Sequence, residues 1–361
     1  MAKRIGIKDV AAAASVSVTT VSHALSGQGK MSDETRGRVE RLAAELGYAP
    51  NRIASALRLQ RSGIIGFVSD EIATTPFAGH IVLGAQEAAA EHGILLVVVN
   101  SNGDPQIESQ QIESLLAQQV DGIVYAKMFH RRVTLPERLT HFPTVLVNAF
   151  DPAAHVSSIV PDEVNIGTIA TRQLLSAGHQ RIAHLTVTDH FPGADGRIAG
   201  YLDAMAQSDN KPCVVRVSGP SDARAGREGF ALALREMPDL TAIFCFNDSM
   251  AMGAYQVATG HGLRIPDDLS VASVDNLELI AAQLEPGLTT VALPHYEMGR
   301  WAIEQVLRTI EESGDDSSSA TQIELQCALI ERQSISSPLA ERPASKQCSP
   351  ATGTPSGRAG A

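Results

Sequence analysis

In the stretch VSVTTVSHALSG, Val16 to Gly27, Val18, Val21 and Leu25 recur at i, i+3 and i+7 and so line one face of a helix. Thr19, Thr20, Ser22 and His23 fill the rest with hydroxyls and an imidazole. Such a surface offers directional donors and acceptors without formal charge, the chemistry that reads base edges and holds phosphate oxygens. A second polar set follows the apolar runs further along: Ser69 and Asp70, Asn100, Asn148, Thr188 and Asp189, Asn247 and Asp248, Asp275 and Asn276. Hydroxyl, amide and carboxylate groups suit the paired donors and acceptors of a polyol, and open α/β sheets take ligands at the carboxyl ends of their strands. The same residue types also cap helices, and a cap or a brace between the lobes is the preferred reading of Asp162 and Asp248.

The elements that must position the first set are helical. IKDVAAAASV has the composition of a short helix, Ser17 can cap a second beginning at Val18, and Ser32 can cap a third running to about Leu46 before Gly47. The third places Val39, Leu42, Ala43 and Leu46 on one core-facing stripe. Two short helices, a tight turn and a supporting helix form a helix-turn-helix, whose second helix enters the DNA major groove. Charge agrees: Met1 to Ser62 carries ten basic residues against five acidic ones, in a chain whose net charge is −11. A basic head on an acidic body fits a polyanion that meets the head alone. In the following APNRIASALRLQRSG, Asn51 can cap a helix of about two turns, Arg52 to Leu59, too short to stand alone in water.

From Gly63 the rhythm changes. IIGFV, ILLVVV, GIVYA, TVLVN, RIAHLTV, CVVRV, AIFCF and LSVASV are short, unalternated and β-branched, as buried parallel strands are. Helical segments such as Phe77 to His92 and Arg197 to Ala206 follow them, a repeated βα pattern that predicts doubly wound α/β sheets. The body is too long for one comfortable open sheet, so it divides into two lobes, with a crossover at PDEVN and a return at VALPHYEMGRWAIEQVL. The expected domains are a helix-turn-helix over 1–50, a hinge helix and linker over 51–62, a two-lobed binding and dimerisation body over 63–337, and a disordered tail over 338–361. With 361 residues and 44% hydrophobic content, each unit can bury a core. The sequence has neither a long apolar run nor a signal-peptide pattern, so a cytoplasmic protein without a membrane partner is expected. Cys213, Cys245, Cys327 and Cys348 are scattered, which favours free thiols over a zinc site. No GxGxxG, GxxxxGK[ST], GxSxG or HExxH occurs, so neither a cofactor nor an enzymatic activity is expected.

IKDVAAAASVSVTTVSHALSG, MSDETRGRVERLAAELGYAPNRIASAL, LLSAGHQRIAHL, GRIAGYLDAM, IPDDLSVASVDN and LTTV together resemble the lactose/galactose-repressor family of bacterial transcription regulators, from about Ile7 to about Gln333. The resemblance implies that Thr20 and Ser22 hold phosphates and that Val18, Thr19 and His23 face bases, beside the cap Ser17. His23 stands where the family usually carries Arg; a histidine makes a single contact where arginine reads guanine bidentately. The alternative for His23 is a turn-side position without a base contact. The hinge helix, capped at Asn51, would pair with its mate over the minor groove, and Leu57 stands where the family inserts a leucine between base steps. Packing against the partner helix is the alternative for Leu57.

In the body the resemblance places Arg197 and Asp275 in the cleft and nominates Asp70, Phe77, Asn148 and Asn247 beside them. Thr75-Pro76 reads as an N-cap and first-turn proline, which would aim Phe77 at the cleft to stack on a sugar ring; a core position is the equal alternative. Thr75 stands where the family often has Asn, and SVDN replaces the usual GFDD. The expectation is a homodimeric, sequence-specific repressor that binds a palindromic operator in double-stranded DNA and is controlled by a small molecule between its lobes, a sugar. Pairing of dimers into tetramers is left open. A nucleobase or nucleoside effector, or a two-lobed sugar receptor without a transcriptional role, are the alternatives.

Overall fold

The computed structural model describes residues 5–25, 29–48, 61–75, 78–153, 156–312 and 320–339. Asn51, Leu57 and Phe77, the hinge helix, and the tail beyond residue 339 lie outside the described residues. Pro338 and Leu339, assigned to the tail from the sequence, are described, and the Pro338 ring lies beside Gly178 of the body.

The head contains α1 (Ile7–Ala14), α2 (Val18–Leu25) and α3 (Asp33–Glu45). Its core is small and aliphatic: Val10, Ala11, Ala14, Val21, Ala24, Val39 and Ala43 are buried together. The turn between α1 and α2 pivots on Ser15 in the left-handed region, φ 54°. Ser17 then caps α2, its Oγ accepting from the Thr20 N–H at 3.0 Å. Ser32 caps α3 the same way, accepting from the Thr35 N–H at 3.2 Å. Each cap satisfies one of the amide donors that a helix start leaves without partners.

The body is built on two six-stranded sheets. The first lobe holds β1 (Ile64–Ser69), β2 (Leu95–Asn100), β3 (Gly122–Arg132), β4 (Thr144–Phe150), β5 (Ser157–Pro161) and β11 (Gln322–Leu325), in the order β11-β5-β4-β3-β1-β2. The second holds β6 (Ile182–Val187), β7 (Cys213–Val217), β8 (Ala242–Cys245), β9 (Ser270–Asp275), β10 (Thr289–Ala292) and β12 (Ala328–Ile330), in the order β12-β10-β9-β8-β6-β7. Pairing is parallel except between β10 and β12. The chain changes lobe after Pro161, after Ala292 and again between β11 and β12.

Helices cover the sheets in close pairs. In the first lobe α4 (Gly79–Glu91) packs on α10 (His295–Glu312), while α5 (Pro105–Ala117) lies on the opposite face; in the second, α6 (Glu163–Ser176) packs on α7 (Pro192–Gln207) and α8 (Ala223–Glu236) on α9 (Asp248–Gly260). Each of the three pairs meets through facing glycines, Gly84 with Gly299, Gly167 with Gly200 and Gly226 with Gly253. At each of these six an added Cβ would fall 2.0–2.2 Å from a backbone carbonyl of the opposite helix.

Two sequence expectations are corrected. α4 starts at Gly79, with Ala78 at the cap position, rather than at Phe77 behind a Thr75 cap. A short 3-10 turn over Ile72–Thr74 takes up this segment, and the Thr75 hydroxyl turns to the Met128 sulfur at 3.4 Å instead of capping. Val18 does not join Val21 and Leu25 on the buried face: it is 41% exposed, whereas Val21 is fully buried.

Candidate functional site

On the head, the exposed surface of α2 is Val18 and Thr19, with Thr20, Ser22 and His23 half-buried beside them. Ser17 Oγ and Thr20 Oγ1 lie 2.8 Å apart, a hydrogen bond in which either hydroxyl can donate and which adds to the cap. The His23 ring packs against Gly29: a Cβ there would sit 2.8 Å from His23 Nδ1, and Gly29 has φ +82°. The imidazole is thus braced by Gly29.

A cleft of about 900 Å³ opens between the lobes. The first lobe lines it with Thr75, Met128, Phe129, Arg131 and Arg132; the second with residues around Phe191, Ser221 and Phe246. Phe129 and Phe191 meet across it with ring centroids 5.7 Å apart, and Phe191 meets Phe246 edge-on at 6.0 Å. The sequence-predicted residues Asp70, Asn148, Arg197, Asn247 and Asp275 are not among the lining residues; the first four hydrogen-bond to residues that are, and so help to fix their positions.

Asp70 and Asn148 hold one peptide from both sides. Asp70 Oδ1 accepts from the Met128 N–H at 2.8 Å, and Asn148 Nδ2 donates to the Met128 carbonyl at 2.9 Å. Both side chains are buried, and together they fix β3 where its pairing with β4 slips between Ala126 and Arg131. That slip lets the strand run on to present Phe129 and Arg131. In the second lobe Asn247 caps α9, accepting from the Met250 N–H at 2.8 Å, while its amide donates to the Ser221 carbonyl at 2.8 Å. Asp248, read from the sequence as a cap or brace, is a brace: it is fully buried and accepts from Thr290 Oγ1 and the Leu277 N–H. Burial pushes its carboxyl up to about 6.

Arg197 is 4% exposed and is already engaged. Its Nε donates to Glu163 Oε2 at 2.8 Å, one terminal nitrogen donates to the Phe246 carbonyl at 2.6 Å, and its guanidinium stacks 4.5 Å from the Phe246 ring. Burial alone would raise the Glu163 carboxyl, but the Arg197 charge, helped by His130, outweighs it and holds the group below the ordinary carboxylate value. His130 Nδ1 stands 3.7 Å from Glu163 Oε1, outside hydrogen-bond range but close enough to feel its charge. This ion pair therefore also faces the first lobe. Asp275 ends β9 at φ +117°, followed by Asn276 at φ +55°. Its Oδ1 is shielded without a hydrogen-bond partner, as is Asn148 Oδ1, and burial together with nearby Asp248 holds its carboxyl well above the usual range. Left-handed backbone at Asn148, Asp275 and Asn276 is strain of the kind that persists where a site over-determines it.

Glu163, Phe129, Phe191 and Phe246 were not singled out from the sequence. The signal for Glu163 was its place directly after the crossover Pro161-Asp162; the phenylalanines left none, because only the tertiary fold brings them together. Among the described residues there is no cluster of His, Cys, Asp and Glu able to hold a metal ion, and no helix long and apolar enough to cross a membrane.

A three-helix head with a polar α2 surface, joined to two lobes around an aromatic cleft, defines a ligand-responsive DNA-binding regulator. Residues 6–51 match the bacterial regulatory proteins of the lacI family, and residues 62–333 match the periplasmic binding proteins and sugar binding domain of LacI family. The chain belongs to the LacI family of transcription regulators. It is 31% identical over 328 residues to the ribose operon repressor of Haemophilus influenzae, covering 90% of this chain and 97% of that protein. It is 32% identical over 335 residues to the HTH-type transcriptional repressor CytR of Escherichia coli (strain K12), covering 91% and 95%. Of solved structures, the lac repressor dimer bound to operator and the anti-inducer ONPF is similar with a TM-score of 0.72 at 26% identity, over 92% of this chain and 100% of that one.

Proposed function

We propose that the protein is a homodimeric repressor in which α2 reads a palindromic operator and a sugar bound between the lobes sets the affinity for DNA. The observation that carries this reading is the presence, in one chain, of a capped α2 that presents Val18 and Thr19 with the half-buried Thr20, Ser22 and His23 beside them, and an aromatic-lined interlobe cleft. Val18, Thr19 and His23 face bases, while Thr20 and Ser22 hold phosphates beside the cap Ser17. Asn51 and Leu57, outside the described residues, keep their sequence-based roles as hinge cap and minor-groove wedge. Two copies are needed because one short helix reads too few base pairs, and two-fold symmetry matches palindromic half-sites.

Selection of bound DNA from a random pool tests the head. The expected product is a palindrome whose affinity falls steeply with salt, with a log–log slope of roughly −0.9 per neutralised phosphate. The His23→Arg variant selects a different half-site, since a bidentate guanine contact is worth about 1–3 kcal/mol of discrimination. Identical selections from both proteins would remove His23 from the reading face.

The cleft is tested by thermal shift with a sugar panel. A ligand specific for the folded state stabilises it by about 2.7 kcal/mol at a hundredfold excess over Kd. Asp275→Ala erases that shift and leaves operator binding intact, because the head is a separate unit. A full shift in the variant would move the effector away from Asp275.

A further inference from the structure

We propose that the interlobe cleft selects a phosphomonoester of a ring sugar, free or within a nucleotide, with Arg131 and Arg132 holding the phosphate and the phenylalanine wall packing the ring. The proposal deepens, and rests on, the reading of this cleft as the effector site.

Charge in the cleft comes from the first lobe. Arg131 and Arg132 both line it, at the end of the β3 extension that Asp70 and Asn148 hold in place. Arg197 is spent on Glu163 and on the Phe246 carbonyl, so its positive charge is already matched. Arg131 and Arg132, by contrast, make no ion pair with a carboxylate among the described residues, and Arg131 Nε is shielded from water without any hydrogen-bond partner. The Arg131 guanidinium, with one unsatisfied donor and no carboxylate partner, is matched by an anion with several acceptor oxygens, and phosphate takes such a planar fork in bidentate fashion.

The second lobe adds to the same field. α7, α8 and α9 all begin at the cleft, where Pro192, Asp222 and Ser249 line it, and helix starts favour anions. Three carboxylates line the cleft as well. Asp222 is occupied in capping α8, accepting from the Ala225 N–H at 3.0 Å, while Glu71 and Asp189 are exposed and screened by water, as is Arg132, which leaves the half-buried Arg131 as the least screened charge on the lining. The ring has its place next to the phosphate: the Arg131 guanidinium lies 5.8 Å from the Phe129 ring, and Phe129, Phe191 and Phe246 continue from there as one wall. An apolar wall with a cation at one end suits a small ring carrying a terminal anion better than a neutral polyol.

The test is isothermal titration of the full chain with matched pairs: ribose and ribose 5-phosphate, glucose and glucose 6-phosphate, cytidine and cytidine 5′-monophosphate. In at least one pair the ester binds at least tenfold more tightly than its neutral partner, and the preference shrinks as salt is raised. The pair that responds separates a free sugar phosphate from a nucleotide. The Arg131→Gln/Arg132→Gln variant brings the ratio close to one while binding of the neutral member and of operator DNA persists. Neutral members that bind as well as their esters, with binding lost in Phe191→Ala, overturn the phosphate assignment and leave the cleft as the site. Binding indifferent to Phe191→Ala overturns the cleft reading itself. A doubly substituted protein that keeps the ester preference, or a panel in which nothing binds, also overturns the proposal.

Discussion

Arg197→Ala costs the body about 3–5 kcal/mol at neutral pH, the range expected when one partner of a buried ion pair is removed and the other stays behind. Arg197 and Glu163 side chains are each 5% exposed, so water cannot replace the lost partner. The Phe246 carbonyl also loses its donor, and the Phe246 ring its stacked cation. The effect has a pH signature with a definite sign. In the native protein Glu163 titrates below its unfolded value, so its contribution is present above that value and is lost as pH falls through the folded one. Without Arg197, burial dominates and the carboxyl moves up. The variant is then penalised most at neutral pH, and the penalty shrinks on acidification as Glu163 takes up a proton. Urea unfolding at pH 7.5 and 5.5 measures this: the gap between native and variant midpoints narrows at the lower pH. A gap that is the same at both values would show that the ion pair is not its source. Glu163→Gln/Arg197→Met, which removes both charges, retains most of the stability.

This ion pair marks the border of what the sequence discloses. The caps at Ser17 and Ser32 are legible because cap, first turn and helix are contiguous, and the hydroxyl needs only the amide three residues on. Eight of the strands are legible as apolar runs, whereas β5, β10, β11 and β12 are short segments beside lobe crossings, where pairing is set by the other end of the chain. Asp275 is legible as a polar group at a strand end, and Arg197 through the family resemblance alone. What escapes is their tertiary employment: Glu163 stands 34 residues from Arg197, and Asp70 and Asn148 act on Met128 rather than on the cleft directly. Thr75 shows the limit of local rules. A threonine before proline is a good cap in isolation, yet here a 3-10 turn and the Met128 sulfur take it instead. The exposure of Val18 shows the same limit in reverse, since an apolar periodicity that fits the core includes a residue the head keeps outside.

Gly200→Ala destabilises the body although alanine is the better helix former, and Gly37→Ala, in the head, stabilises it. Propensity alone gives both substitutions a gain of about 1 kcal/mol. At Gly37 in α3 nothing lies within 4 Å of an added Cβ, so the gain is kept, at about 0.5–1 kcal/mol. At Gly200 in α7 the Cβ would stand 2.0 Å from the Val164 carbonyl oxygen and 2.6 Å from the Thr168 nitrogen of α6. Both obstacles are backbone, so relief requires the two helices to part. Gly167 opposes this from the other side, where its own Cβ would meet the Arg197 carbonyl at 2.2 Å. Overpacking costs about 1–3 kcal/mol where side chains can yield, and a backbone collision belongs at or above the top of that range. Parting α6 from α7 also stretches the 2.8 Å bond between Glu163, at the start of α6, and Arg197, within α7. Hence the cost of Gly200→Ala is smaller in the Glu163→Gln/Arg197→Met background than in the native one, a coupling that a double-mutant cycle reads directly. Peptide-level hydrogen exchange follows head and body separately: α3 gains protection in Gly37→Ala, and α6 and α7 lose it in Gly200→Ala. Were α6 and α7 to gain protection as α3 does, the close glycine contact would not be what holds Glu163 to Arg197.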